Sequence, residues 1–463
     1  MTSQPLRAIL IGAGQRGAQS YAPYALDHPD QLLFVAVAEP NSVRREIFAK
    51  QHQISLENQF EDWQPLLERP AIADVALVCT QDWQHAAPAI AAMRAGYHVL
   101  LEKPMANIAS DCRELNAVSA ETRRQLHICH VLRYTPHFQK MRELVQSGVL
   151  GEIIDVDHRE NVAFYHMAHS YVRGNWRNKD ETSPMILAKC CHDFDILSWV
   201  LSQNPQKLAS FGELNHFRSE NAPEGAPLRC TDGCPVADTC PFYAPNIYLA
   251  MAPFWSGLAD TARGFPRWAA KEYSENPAVI RALAFLSPSL RQITKYQGWP
   301  LTVLSEIPNR ENIEDALRTG PYGRCVYHCD NNVVDHQVVM MQMEDKATVT
   351  LTMQGHSHYE HRSTRIEGSH GRLMAEFGNG GSRIIVDEHR TDWHMEYDTS
   401  ASLEDGHGGG DFHLMEFFVK SVMEGDFENV LQGTKEALRS HLLAFAAEDA
   451  RLHGKVLEQD SWQ

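Results

Sequence analysis

The chain has 463 residues, of which 43% are hydrophobic and 22% charged, as expected for a globular protein of two or three domains. Its net charge of −17 argues against nucleic acid and anionic membrane as partners. No apolar run approaches the roughly 20 residues of a membrane span, and no signal-type leader precedes the first strand. We therefore expect a cytoplasmic protein whose ten cysteines are thiols or metal ligands rather than disulfides.

A glycine-rich turn follows the first apolar segment. Leu6–Ile11 predicts a buried strand, the next six residues fit G-x-G-x-x-G, and Ala18–Leu26 predicts a helix. In this pattern the first glycine permits a tight turn, the second lets a pyrophosphate approach the backbone, and the third lets helix and strand pack closely. The free N–H groups of the helix N-terminus favour phosphate. The predicted phosphate-binding residues are Gly12, Gly14, Gln15, Arg16 and Gly17.

A second predicted strand, Leu32–Ala38, ends at Glu39, about 20 residues beyond the glycines. A carboxylate at this position bonds the ribose 2′-hydroxyl of a dinucleotide and repels a 2′-phosphate. Glu39 therefore favours NAD over NADP, and Arg44 and Arg45 are the nearby cations that would soften this preference.

Strands and helices go on alternating through residue 131. Strands are predicted over Asp74–Cys79, Tyr97–Leu101 and Leu126–Val131; helices are predicted over Ser42–Gln51 and Ala86–Ala95, and Ser110 is expected to cap a third helix. This spacing predicts a doubly wound parallel sheet, whose ligands bind at the carboxyl ends of the strands. The residues expected at those ends are Thr80, His85, Glu102, Lys103 and Arg133.

The second half of the chain has short strand-like segments separated by turns. They are Ile153–Glu160, Lys207–Phe217, Arg324–Cys329, Val333–Met343, Ala347–Met353 and Thr364–Glu367. Two helices, Asp411–Met423 and Thr434–His453, close the chain, and proline-rich residues 213–320 read as an insertion packed on the second domain.

Three motifs of the first half, GAGQRG, CTQDWQH and EKP, resemble the Gfo/Idh/MocA family of NAD(P)-dependent oxidoreductases. Gly151–Ile153 resembles the entry to that family's second domain, and Lys189–Asp195 resembles its segment with the catalytic histidine. The resemblance implies a Rossmann domain over 1–133 and a substrate-binding α+β domain over 134–463, with an open, mostly antiparallel sheet. It also implies a homodimer or homotetramer formed through that sheet.

The resemblance assigns the chemistry to Lys103 of EKP and to His192. A lysine at the cofactor pocket can donate to a substrate hydroxyl and polarise it, while an imidazole can take the hydroxyl proton. The family pattern is D-x-x-x-H, but here Ala188 holds the aspartate position and Lys189 follows it. We therefore expect Lys189 to supply a second cation, and Asp193 or Asp195 to orient His192.

Other residues are candidates for lining the two ligands, with a purely structural role as the equal alternative. Thr80, His85 and Glu102 are expected along the cofactor. The expected substrate residues are Arg133, Tyr134, Tyr165, Trp176, Arg177 and His336.

Three cysteines within eleven residues suggest a structural zinc site. They are Cys230, Cys234 and Cys240, with His216 as the first candidate for the fourth ligand and Cys325 or Cys329 as the second. Unligated thiols and an iron–sulfur cluster are the alternatives.

The leading hypothesis is an NAD-dependent oxidoreductase acting on a secondary hydroxyl of a sugar, sugar derivative or cyclitol. One alternative is a redox-assisted glycosidase or lyase that recycles bound NAD, with His192, Lys103 or a tyrosine such as Tyr165 as the extra base. The other is a regulator that binds NAD without turnover.

Overall fold

The computed structural model describes residues 4–261, 264–378, 381–391, 393–401 and 407–462. In these ranges the chain forms two β-sheets. The first is a six-stranded, all-parallel sheet of order β3-β2-β1-β4-β5-β6. Its strands are β1 Leu6–Ile11, β2 Leu32–Ala38, β3 Gln59–Phe60, β4 Val75–Val78, β5 His98–Leu101 and β6 Leu126–Ile128. The predicted doubly wound sheet is confirmed.

Helices connect these strands. They are α1 Pro23–Asp27, α2 Ser42–Gln51, α3 Trp63–Leu67, α4 Ala86–Arg94, α5 Ala109–Thr122 and α6 Pro136–Gln146. The helix predicted over Ala18–Leu26 is in fact a helical turn, Gln15–Tyr21, followed by α1, because Pro23 starts a new helix at its first position. The predicted cap at Ser110 is wrong, since α5 begins at Ala109 and Ile108 is its N-cap.

The second sheet follows residue 150 and has, in the described ranges, nine strands in the order β14-β13-β12-β11-β7-β10-β9-β8-β15. All its neighbours are antiparallel except β7 and β10. The strands are β7 Ile153–Ala163, β8 Pro205–Glu213, β9 His336–Met343, β10 Thr348–Ser357, β11 His361–Gly368, β12 Gly371–Gly378, β13 Arg383–Glu388, β14 His394–Asp398 and β15 Leu457–Glu458. The predicted open, mostly antiparallel sheet is confirmed.

Helices cover one face of this sheet and join it to the first. They are α7 Phe164–His166, α8 Met185–Ala188, α9 Cys191–Leu201, α16 Gly410–Glu424 and α17 Phe427–His453. The long helix α17 packs against α9 and β8 on one side and against α5 and β6 on the other. It therefore holds the carboxyl ends of the parallel strands beside α9.

Helices also dominate the inserted region. They are α10 Ala252–Thr261, α11 Gly264–Glu275, α12 Pro277–Leu283, α13 Pro288–Thr294, α14 Leu301–Leu304 and α15 Arg310–Thr319. The strand predicted over Arg324–Cys329 is wrong: Val326–His328 is a helical turn. Here the backbone pairs with the insertion, through a bridge between Arg229 and Arg324, instead of joining the sheet. None of the described helices is long and apolar enough to cross a membrane.

Candidate active site

The glycine turn leaves open space beside one of its three glycines. Gly12 has φ +92°, and a Cβ there would lie 2.6 Å from the carbonyl oxygen of Cys79. A Cβ on Gly17 would lie 2.4 Å from the carbonyl oxygen of Gly12, so both glycines are required by the protein's own packing. A Cβ on Gly14 would meet nothing within 4 Å. The open side of Gly14 therefore fits the approach of a pyrophosphate, while Gln15 and Arg16 begin the helical turn behind it.

Two polar side chains line the same edge of the sheet. Glu39 is 5% exposed and accepts from the backbone N–H of Ala13 at 2.7 Å and of Asn41 at 3.0 Å. The hydroxyl of Thr80, just past β4, is buried and has no hydrogen-bond partner among the described residues. Because buried hydroxyls are almost always bonded, this one suits a ligand. These residues fit a dinucleotide: Glu39 for its ribose, and Gly14 and Thr80 for its phosphates.

Glu102 joins the glycine turn to the EKP segment. Its carboxylate accepts from Nε of Arg16 at 2.6 Å, from the hydroxyl of Tyr21 at 2.6 Å and from the backbone N–H of Lys103 at 2.7 Å. Asp411 of α16 binds the same Arg16 guanidinium at 2.8 Å. Although burial opposes ionisation, Arg16 holds the pKa of Glu102 below its usual value. Arg16 and Glu102 therefore brace the cofactor site, and Arg16 is engaged by two carboxylates.

Lys103 lies at the carboxyl end of β5 and reaches into the second half of the chain. Its Nζ donates to the carbonyl oxygen of Ala188 at 2.9 Å. Within the described residues no carboxylate lies within ion-pair distance of this ammonium group. Ala188 ends α8, four residues before His192 on α9. Lys103, which follows a strand of the first sheet, is thus bonded to the segment that precedes His192 in the second half of the chain.

His192 is 6% exposed, and its Nδ1 has no partner among the residues described. Burial holds its pKa well below the usual value, and the positive charge of Lys103 acts in the same direction. The ring of His130, at the end of the first sheet, lies 5.5 Å from that of His192, and His441 lies 5.3 Å from His130. Burial therefore favours the neutral form of His192, whose Nδ1 is unpartnered among the described residues.

Neither nearby aspartate binds His192. Asp195 forms a two-point ion pair with Arg133, with both distances 2.6 Å, and Arg133 also binds Glu436 at 2.8 Å. Asp195 approaches the histidines only at His130 Nε2, at 3.8 Å. The predicted orienting role of Asp195 on His192 is thus replaced by a buried ion pair that also occupies Arg133, a predicted substrate residue.

Lys189 belongs to a network of buried ion pairs that the sequence does not predict. Its Nζ lies 2.6 Å from Glu360 and 3.2 Å from Glu160, and Arg362 lies 2.7 Å from both Glu160 and Asp193. Although burial opposes it, Glu360 and Glu160 hold the pKa of Lys189 above its usual value. Lys189 therefore keeps its proton, and the carboxylates of Glu360 and Glu160 balance its positive charge. In sequence, the carboxylates of β7 and of the β10–β11 turn cannot be told from the polar residues that alternate along any solvent-facing strand. Only the register of the sheet brings them to Lys189.

The loop with Trp176 is fixed against the first domain. The indole Nε1 lies 2.9 and 2.8 Å from the two carboxylate oxygens of Asp82, which also accepts from the hydroxyl of Ser183 at 2.8 Å. The His85 ring lies between two backbone carbonyls, with Nδ1 2.6 Å from the oxygen of Pro104 and Nε2 3.1 Å from that of Thr80. Asp82 was missed, although it lies inside the CTQDWQH motif.

The remaining predicted substrate residues have different surroundings. Arg177 pairs with Asp330 at 2.9 Å, and His336 Nδ1 lies 2.8 Å from Asp335. These contacts engage both side chains with neighbours outside the Lys103–His192 group. Tyr134 and Tyr165 pack against aromatic rings, Phe417 at 5.2 Å and Trp299 at 6.3 Å.

The cysteines gather around a small cavity. Cys230, Cys234, Cys240 and Cys325, the last a predicted second candidate ligand, line it without forming a disulfide, and Arg173 Nη2 lies 3.6 Å from the sulfur of Cys230. His216, the predicted fourth ligand, instead lies 3.1 Å from the hydroxyl of Tyr327. In the described part of the chain no group of three or more His, Cys, Asp or Glu side chains is arranged to hold a metal ion. The predicted zinc site is not supported.

Comparison with known proteins agrees with this geometry. Residues 6–130 match the family described as "Oxidoreductase family, NAD-binding Rossmann fold", and residues 142–243 match "Oxidoreductase family, C-terminal alpha/beta domain". The oxidoreductase YteT of Bacillus subtilis is 22% identical over 74% of this chain and 71% of its own length. D-glucoside 3-dehydrogenase of Escherichia coli is 33% identical over 33% of this chain and 42% of its own.

A third relative is inositol 2-dehydrogenase of Salmonella typhimurium, 24% identical over 43% of this chain and 55% of its own. Among solved structures, an oxidoreductase from Agrobacterium radiobacter in complex with NAD+, L-tartaric acid and magnesium superposes with a TM-score of 0.63 at 13% identity. It covers 99% of this chain and 100% of the other. The family matches, the two sheets and the paired Lys103 and His192 lead to one conclusion: this chain belongs to the Gfo/Idh/MocA family of oxidoreductases.

Proposed function

We propose that the protein is an NAD-dependent oxidoreductase that removes a hydride from a secondary hydroxyl carbon of a neutral sugar, sugar derivative or cyclitol. The observation that supports the proposal is the hydrogen bond from Lys103 Nζ to the carbonyl oxygen of Ala188, four residues before His192, whose pKa the charge of Lys103 lowers. Relatives named for dehydrogenation of a glucoside and of inositol support the substrate class.

The chain's own residues supply binding and proton transfer. Gly14 and Thr80 hold the dinucleotide phosphates, Glu39 holds the ribose, and bound NAD contributes a hydride acceptor at its nicotinamide ring. The Lys103 ammonium donates to the substrate hydroxyl and fixes its carbon in position. His192, neutral because it is buried, accepts the hydroxyl proton as the carbon–oxygen double bond forms.

The charge balance of the pocket favours a neutral substrate. Lys189, Arg362 and Arg133 are each bound to two carboxylates, so none offers an unpaired charge to a substrate carboxylate or phosphate. Lys103, by contrast, donates to a backbone carbonyl. A neutral polyol needs one such donor and no strong anion site.

The redox-assisted glycosidase alternative gains no support from Tyr165. Burial raises the pKa of this tyrosine, and Glu360 acts in the same direction, which makes its hydroxyl a poor base. Net accumulation of reduced nicotinamide separates the two activities, since the glycosidase would release an aglycone without it.

A panel assay tests the proposal. Wild-type protein with NAD is mixed with neutral hexoses, methyl glycosides and inositols, and separately with hexuronic acids and sugar phosphates. We expect reduced nicotinamide to accumulate with at least one neutral compound and more slowly with every acidic one. Turnover restricted to the acidic compounds would contradict the charge argument, and silence across both groups would contradict the activity.

The open face of the second sheet supports a homo-oligomer. Phe211 of β8 is 66% exposed and Met340 of the neighbouring β9 is 49% exposed. Large exposed apolar side chains on one sheet face are typical of an interface. Light scattering with Phe211→Glu and Met340→Glu tests this: the wild type should be a dimer or tetramer, and the double variant should dissociate.

A further inference from the structure

One carboxylate of the inserted region contacts the first domain. Glu306, which follows α14, lies 2.6 Å from Nε and 2.6 Å from Nη2 of Arg44 on α2. The same carboxylate lies 3.5 Å from the side-chain nitrogen of Asn41. Glu306 and Arg44 are 262 positions apart in sequence, so this ion pair is a tertiary link between the insertion and the first domain.

Arg44 stands next to the predicted ribose site. Glu39 accepts from the backbone N–H of Asn41 at 3.0 Å, and the Asn41 side chain caps α2 by accepting from the backbone N–H of Arg44 at 3.1 Å. Glu39, Asn41 and Arg44 thus form one strand-to-helix turn. In this fold the turn after the second strand distinguishes a ribose 2′-hydroxyl from a 2′-phosphate, and an arginine there accommodates the phosphate.

The other arginine of the turn is also engaged. Arg45 donates to the backbone carbonyl of Glu39, and its Nη2 lies 3.6 Å from Glu61. Its side chain is 13% exposed, so it is held beneath the turn. Arg44, with a side chain 35% exposed, is therefore the cation that can swing toward a 2′-phosphate, and Glu306 is the residue that holds it.

We propose that Glu306 is a cofactor-specificity residue: it holds the Arg44 guanidinium and places a second carboxylate near Glu39, so that the site rejects a 2′-phosphate. This inference rests on the proposed function, because it requires a dinucleotide in the first domain. A 2′-phosphate entering the turn must take Arg44 from Glu306 and leave that carboxylate unpaired beside two new negative charges. A 2′-hydroxyl leaves the ion pair intact.

Dinucleotide binding tests the inference without a substrate. The full chain, wild type and Glu306→Gln, is titrated with NAD and with NADP by isothermal calorimetry, and folding is checked by circular dichroism. We expect NADP affinity to rise about tenfold in Glu306→Gln, because the pair is partly exposed and therefore partly screened. NAD affinity should stay within about twofold. Unchanged NADP affinity in the folded variant overturns the inference.

A matched control separates the ion pair from net charge. Glu311 is an exposed carboxylate in the first turn of α15, in the same insertion, so Glu311→Gln makes the same charge change away from Arg44. We expect Glu311→Gln to bind both dinucleotides as the wild type does. An equal gain in NADP affinity in this variant would assign the effect to overall charge and overturn the role of Glu306.

Two further variants test the role of the guanidinium. Arg44→Ala alone should not raise NADP affinity and should lower it further, because it leaves the Glu306 carboxylate unpaired beside the 2′-phosphate. Arg44→Ala combined with Glu306→Gln should lose most of the gain seen in Glu306→Gln. A gain that survives without Arg44, or a rise of NADP affinity in Arg44→Ala alone, contradicts the inference. If the wild type binds neither dinucleotide, the proposed function itself fails, which is a distinct result.

Discussion

The ammonium group of Lys103 donates a hydrogen bond to the backbone carbonyl of Ala188 at 2.9 Å. Ala188 occupies the position where the family pattern has an aspartate, so a main-chain oxygen supplies the acceptor that meets the lysine here. The bond fixes the end of the parallel sheet to the start of α9, where His192 lies. This hydrogen bond is therefore one of the contacts that fix the site between the two halves of the chain, together with the Trp176–Asp82 and Arg133–Asp195 contacts.

Replacing Lys103 tests its role in turnover. Lys103→Met keeps much of the side-chain volume and removes the donor, so we expect kcat to fall about 1000-fold, within the range for a positioned proton donor. NAD affinity should change by less than about threefold, because residues other than Lys103 supply most of the binding to NAD. Lys140→Met, which removes an exposed lysine paired with Glu143, is the control and should keep full activity. Loss of NAD binding in Lys103→Met would assign Lys103 to the cofactor alone.

The glycine turn offers a matched pair of substitutions. Gly14 has φ −76° and open space around its Cβ position, so Gly14→Ala should leave the unfolding temperature unchanged and weaken NAD binding at least about tenfold by blocking the phosphates. Gly12 has φ +92° and would press a Cβ against Cys79, so Gly12→Ala should destabilise the fold by about 3 kcal/mol or more. Calorimetry and thermal unfolding measure both effects. Normal NAD affinity in Gly14→Ala would show that the pyrophosphate does not bind at this turn.

Removing one partner of the buried Arg133–Asp195 pair should be costly. Asp195→Ala leaves the guanidinium with Glu436 as its remaining carboxylate, and we expect the free energy of unfolding to fall by about 3 kcal/mol. Glu143→Ala, which breaks the exposed pair with Lys140, should cost less than about 1 kcal/mol. Urea denaturation of the two variants makes the comparison. Equal losses would show that burial does not decide the strength of these pairs.

Buried neutral histidines make stability fall in mild acid. Burial lowers the pKa of His127, His137 and His441 to about 3 each, against about 6.5 when unfolded. Below pH 6.5 the unfolded chain therefore binds protons that the folded chain does not, and each histidine should cost about 1.4 kcal/mol at pH 5.5.

Thermal unfolding between pH 7.5 and 5.5 measures this loss. The wild type should lose about 4 kcal/mol from these three groups, and His441→Gln should show a slope smaller by one histidine's share. A stability that is flat or rises on acidification would contradict neutral burial.

The sequence predicts the first sheet well because parallel strands are continuous apolar runs between helices, and Leu6–Ile11 and Val75–Val78 carry that pattern without ambiguity. It predicts Lys103, Glu102 and His192 because each lies in a short motif at a strand or helix end. It cannot predict that Glu360 contacts Lys189. The two residues are 171 positions apart in sequence, and only the register of β7, β10 and β11 brings them together.

The cysteines show a case in which the sequence indicates a site that the fold does not support. Their spacing indicates ligands, yet the folded positions of Cys230 and His216 depend on how the insertion packs, with Tyr327 bonding the histidine. Glu306 was missed for a related reason: in sequence it is one acidic residue in a polar loop, and only folding brings it to Arg44.

Deuterium transfer tests the central claim most directly. A substrate found in the panel is labelled with deuterium at the carbinol carbon and mixed with excess enzyme and NAD for a single turnover, and the nicotinamide is analysed by mass spectrometry. We expect one deuterium in the reduced nicotinamide, formed by the wild type and at least about 100-fold more slowly by Lys103→Met. Reduced nicotinamide without deuterium, or labelled product formed at the same rate in both proteins, would contradict hydride transfer beside Lys103 and His192.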